Sequence, residues 1–96
     1  MPKLQVLSVR DRAADVFGRP FFTASIGSAI RSFSDHLNGK DDSEMVKHPE
    51  DFDLFHLAVF DDETGSFENL ERPKQVAIGK DTAIPRAKTV EMFPKS

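Results

Sequence analysis

Leu54-Phe55-His56-Leu57-Ala58-Val59-Phe60 runs straight into Asp61-Asp62-Glu63-Thr64-Gly65-Ser66, and Phe67 follows. The first segment is apolar on both faces, broken only by His56, which predicts a central strand. The polar hexapeptide reads as a hairpin loop, with Gly65 at the position that needs positive φ. Phe67 to Glu71 is then the returning partner strand. Arg72-Pro73 is expected to break it, because proline cannot donate to a ladder. Gln75 to Ile78 is expected as a further short strand.

Upstream of that hairpin, Leu4, Val6, Leu7 and Val9 predict a first strand over Lys3 to Val9. Arg10 to Arg19 reads as a loop with at most one helical turn. Ile26, Ile30, Phe33 and Leu37 recur at helical spacing, so Thr23 to Leu37 is the main helix. Thr23 or Ser25 serves as its N-cap, and Gly39 is expected as a left-handed C-cap. Lys40 to Lys47 is expected as a loop, and His48-Pro49-Glu50-Asp51 as a short helical turn. The fold class is α+β: a small antiparallel sheet of three to five strands with one main helix packed on it. Residues 1–80 form one domain, and residues 81–96 a C-terminal arm that docks on a partner copy.

The chain has 96 residues and no Cys, which excludes disulfides and Cys-based zinc sites. No signal peptide and no apolar run of membrane-spanning length is visible, so a soluble cytosolic protein is expected. The net charge of -3 is unevenly spread. Residues 1–40 carry +3, residues 41–72 carry -9 and residues 73–96 carry +3. Such asymmetry fits either an anion-binding face opposite a solvating one, or basic ends that pair with an acidic middle.

His36, His48 and His56 have no metal-ligand spacing, and no nucleophile or phosphate-loop motif is present. A non-enzymatic protein without cofactor or metal is expected. A metal nuclease would need His48, with Glu50 or Asp51, to converge on His56. Single-strand nucleic-acid binders combine a cationic track with aromatic side chains that stack on bases. Arg10, Arg12, Arg19 and Arg31 would contact phosphates, with Phe17, Phe21 and Phe22 interleaved among them. Phe21 and Phe22 equally suit a staple that seats the helix on the sheet, and both roles hold if one faces in and its neighbour out. Arg12→Glu combined with Arg19→Glu is expected to abolish binding without unfolding the domain. Four neutralised phosphates would give a log–log salt slope near -3, at about 0.7 per contact.

Four segments together carry a family resemblance: Pro20-Phe21-Phe22, Ala29-Ile30-Arg31-Ser32-Phe33, His48-Pro49-Glu50-Asp51-Phe52 and Phe60 to Phe67. In this order and spacing the chain resembles the small nonstructural proteins of the gokushovirus-type microviruses, single-stranded DNA phages, which are described as DNA-binding. The resemblance implies a bacteriophage protein in the cytoplasm of the infected host that acts between genome replication and packaging. The partner it implies is single-stranded DNA. Self-association into a dimer or higher oligomer is expected from the small core, and because a dimer would set two basic strips on one face. Phage replication or packaging proteins are the basic partners of the alternative reading, and no membrane partner is expected. The alternative is an assembly or host-interaction protein whose acidic middle segment meets a basic partner and that does not bind DNA.

Overall fold

The structure is a computed structural model that describes residues 3–82. A five-stranded antiparallel sheet is built on β1 (Lys3–Asp11). One edge of β1 pairs along its whole length with β4 (Phe52–Asp61). Its other edge is shared: β3 (Phe21–Thr23) pairs with Gln5 to Leu7, and β2 (Val16–Phe17) with Arg10 and Asp11. β5 (Ser66–Ile78) pairs with β4 and forms the opposite edge. The fold class is therefore the expected α+β.

The main helix, α1, covers Ile26–Leu37. It starts later than Thr23 because Thr23 is held in the sheet opposite Gln5. Ser25 is the N-cap, its hydroxyl accepting the Ser28 N–H at 3.1 Å. Gly39 is not left-handed, since Gly65 is the one glycine with positive φ among the described residues. Asn38 closes the helix instead, donating its side-chain amide to the Ser34 carbonyl at 2.9 Å. Ala29, Phe33 and Leu37 point from α1 onto Leu7, Phe52 and Leu54, and these six residues form the buried core. Leu7 and Leu54 are fully buried, so the core is local to one face of the sheet.

Two segments depart from their sequence reading. Arg10 to Arg19 is not an open loop but a tight β1–β2 hairpin. The Asp11 carboxylate accepts the N–H groups of Ala13 and Ala14, and Asp15 takes the left-handed conformation at φ 62°. Lys40 to Lys47 includes a helical turn, α2 (Glu44–Lys47), capped by Ser43 and anchored by buried Val46. A 3₁₀ turn, Pro49–Asp51, precedes β4 as expected.

The largest departure is β5. Phe67 to Ile78 is one continuous element through Arg72-Pro73, not two strands. β5 is an edge strand, so a missing N–H is tolerated there. The ladder to β4 also slips at this place: Asn69 faces Ala58 and Lys74 faces His56, which leaves Pro73 out of the pairing. A last helical turn, α3 (Gly79–Thr82), follows β5. The expected C-terminal arm begins within α3, and its residues 83–96 lie outside the described residues. Among the described residues no helix is long and apolar enough to cross a membrane.

Candidate nucleic-acid interface

Side chains alternate across a strand, so the residues of β1 divide between two faces. Leu7 and Val9 face α1. Leu4, Val6, Ser8 and Arg10 therefore face the other way. Their partners on that face follow from the register: Phe60 opposite Leu4, Ala58 and Phe22 opposite Val6, Phe55 opposite Ser8, and Phe17 opposite Arg10. A one-residue bulge in β4 at Leu57 keeps Phe55 and Phe60 on the same side despite their odd spacing.

Two aromatic clusters result. At one end Phe22, Phe60 and Phe67 meet with ring centroids 4.8–6.2 Å apart. At the other, Phe17 packs edge-on against Phe55 at 5.4 Å, and the Arg10 guanidinium lies 5.8 Å from the Phe17 ring centre. The clusters are about four strand residues apart, or about 13 Å. Between them and along the first runs a groove of about 390 Å³ lined by Val6, Pro20, Phe22, Ala58, Phe67 and Asn69, among others. Phe17, Phe22 and Phe67 are 42, 50 and 54% exposed. No described element covers this face.

The seven residues singled out from sequence are split by the fold. Phe21 faces α1 and packs, half-buried, on the core, whereas Phe22 faces out beside Phe60. Arg10, Phe17 and Phe22 thus share the helix-free face. Arg10 is ion-paired with the exposed Asp15, an interaction of small worth that a phosphate could replace. Arg19 is exposed in the segment joining β2 to β3 and makes no ion pair among the described residues. Arg31 lies on α1, across the sheet, beside a hollow lined by Ser25, Gly27, Ser28 and Ser32.

Arg12 has a different place. Its Nε donates at 2.8 Å to the carboxylate of Asp53, which is only 3% exposed, and its terminal nitrogen donates to the Glu50 carbonyl. The Gly79 N–H also reaches Asp53, at 3.2 Å. Arg12 thereby ties the β1 hairpin to β4 and to the start of α3. The double substitution at Arg12 and Arg19 would disturb the fold as well as the surface, so the two effects would not be separable. Sequence reasoning also passed over Phe55, Phe60 and Phe67. Phe60 and Phe67 were within reach, since a hairpin centred on residues 61–66 sets them opposite each other.

The three histidines lie apart. His36 contacts the Ser43 hydroxyl, His48 approaches Glu50 at 3.8 Å, and His56 bonds the Ala58 carbonyl oxygen. Among the described residues no group of three or more His, Asp or Glu is placed to hold a metal ion. Compared with known proteins, residues 4–82 match the model of a family described as Phage ORF5 protein. No curated protein and no solved structure matches the chain.

Proposed function

The chain belongs to the Phage ORF5 protein family, and from that premise we propose that it is a non-enzymatic, single-stranded DNA-binding protein of a gokushovirus-type microvirus. It acts in the cytoplasm of the infected host, between genome replication and packaging, with little sequence preference. The observation that carries this reading is solvent-facing phenylalanine beside arginine on a sheet face that no described element covers: Phe17 under Arg10, with Phe22 and Phe67 further along. Flat aromatic rings offer stacking surfaces to any base, and Arg10 and Arg19 supply phosphate contacts. Arg12 and Arg31 are left out, the first because it serves the fold, the second because it lies across the sheet.

Anisotropy of a fluorescent single-stranded oligonucleotide, titrated at several salt concentrations beside the matching duplex, tests the proposal. Two phosphate contacts predict a log–log salt slope of about -1.4 for single strands. Phe22→Ala and Phe17→Ala should each weaken binding about 5- to 150-fold, the range for one stacked base. Absence of binding at low salt would refute the reading. It would turn attention to the acidic hairpin tip, Asp61 to Glu63, as the meeting point for a basic phage or host protein.

A further inference from the structure

We propose that the aromatic face seats a single strand at two stacking stations set two nucleotides apart, passing over the base between them. This presupposes the single-stranded DNA reading and adds a spacing to it.

The first station is the cluster of Phe22, Phe60 and Phe67. Phe22 and Phe67 are exposed, and half-buried Phe60 supports both, at 5.4 and 4.8 Å between ring centroids. The second is exposed Phe17, braced by half-buried Phe55. Rings already held by other rings lose little further freedom when a base docks on them.

Strand register fixes the distance between the stations. Phe22 pairs with Val6 and Phe17 with Arg10, so four residues of β1, about 13 Å, separate them. A stacked strand advances about 3.4 Å per nucleotide, and an opened one reaches roughly twice that. Neighbouring bases therefore cannot occupy both stations, whereas bases two steps apart can. The surface between offers the skipped base no ring: it is formed by Val6, Pro20 and Ala58, and the buried Ser8 hydroxyl is engaged in donating to the Gly18 carbonyl at 2.7 Å. The segment joining the stations, Gly18-Arg19-Pro20, carries exposed Arg19 within the span that the phosphates cross. Past Phe60 and Phe67 the hairpin tip presents exposed Asp62 and Glu63, which repel further phosphates and bound the site at that end.

An abasic strand of about eight nucleotides, within the usual site size, carries the test. Every member of the series has the same phosphates, so spacing is separated from charge. Competition against the fluorescent oligonucleotide at low salt ranks strands with one thymine, with two adjacent thymines, and with two thymines separated by one or more abasic residues. Adjacent thymines should bind little better than one. A single intervening abasic residue should raise affinity about 5- to 150-fold, the range for one more stacked base. Longer spacers should lose that gain only gradually, as a lengthening flexible linker does. Phe17→Ala, at an exposed position, should abolish the gain while the one-thymine strand still binds at the other cluster. Equal gains for adjacent and spaced thymines, no gain at any spacing, or a gain that survives Phe17→Ala would overturn the two-station site and leave strand binding standing. Failure of an all-thymine strand of the same length to bind would remove the DNA reading itself, and the two stations with it.

Discussion

Removing the Arg12 guanidinium should be among the costliest changes near the molecular surface. In Arg12→Ala the Asp53 carboxylate keeps one neutral donor, the Gly79 N–H at 3.2 Å, and loses a charge-assisted bond of 2.8 Å. Breaking a fully buried ion pair costs about 3–5 kcal/mol. Arg12 is 45% exposed at its side chain, so water would reach part of the vacated space and the cost is discounted to about 2–3 kcal/mol. The bond from Arg12 to the Glu50 carbonyl disappears at the same time. A domain of this size has a total stability of about 5–14 kcal/mol, so the loss is a substantial fraction. At about 4–8 °C per kcal/mol, Tm should fall by about 8–24 °C. Thermal and urea denaturation followed by far-UV circular dichroism at pH 7 measures this directly. Arg12→Lys should recover part of the loss, because a point charge satisfies the carboxylate without the second bond. Combining Arg12→Ala with Asp53→Asn should cost less than the sum of the two changes. A Tm for Arg12→Ala within about 2 °C of the parent, or full additivity of the pair, would refute the role assigned to Asp53.

Two further outcomes concern the fold. A Cβ added at Gly79 would collide with the carbonyl oxygens of Phe52 and Pro49, all of them backbone atoms, so Gly79→Ala should destabilise the domain by about 3 kcal/mol or prevent folding; a soluble variant with unchanged urea midpoint would contradict this. The Asp41 carboxyl, which accepts the Ser43 N–H at 3.0 Å, is held below its ordinary value of 3.8 first by that backbone bond and then by the Ser43 hydroxyl. A folded value below the unfolded one means that its contribution to stability is present above pH 3.8 and is lost as pH falls through the folded value. Carboxyl carbon shifts recorded against pH should place its midpoint below that of a peptide aspartate, and Ser43→Ala should raise it.

The parts legible in the chain were those set by neighbours in sequence. The hairpin over residues 61–66, with Gly65 at φ 76°, follows from a polar loop between apolar strands. The apolar spacing of α1 follows from a helical repeat of 3.6 residues, while the choice of Ser25 over Thr23 as cap was made by the pairing of Thr23 with Gln5. The outward Phe22 and inward Phe21 are what strand alternation demands once the segment is known to be β3. Pro73 misled because its meaning depends on sheet position: a proline that would break a central strand is harmless in an unpaired stretch of an edge. Arg12 misled because the partner that claims it, Asp53, is 41 residues away, and charge counting treats every arginine as free.

Local pattern and composition therefore settle the α+β class, the central strand and the 61–66 loop that follows it, the main helix and the cationic character of the first forty residues. These depend on contacts within a few residues, where periodicity and turn chemistry act directly. The division of that segment into a working face and a structural remainder is a matter of long-range geometry. Strand register sends Phe17, Phe22 and Arg10 to one side of the sheet, while Phe21 packs toward α1 on the other side, where Arg31 lies on α1 itself. The β4 bulge brings Phe55 and Phe60 to the exposed side, although their spacing in sequence is odd. Burial of Asp53 commits the half-exposed Arg12 to an ion pair at 2.8 Å, because a carboxylate taken out of water without a partner is costly.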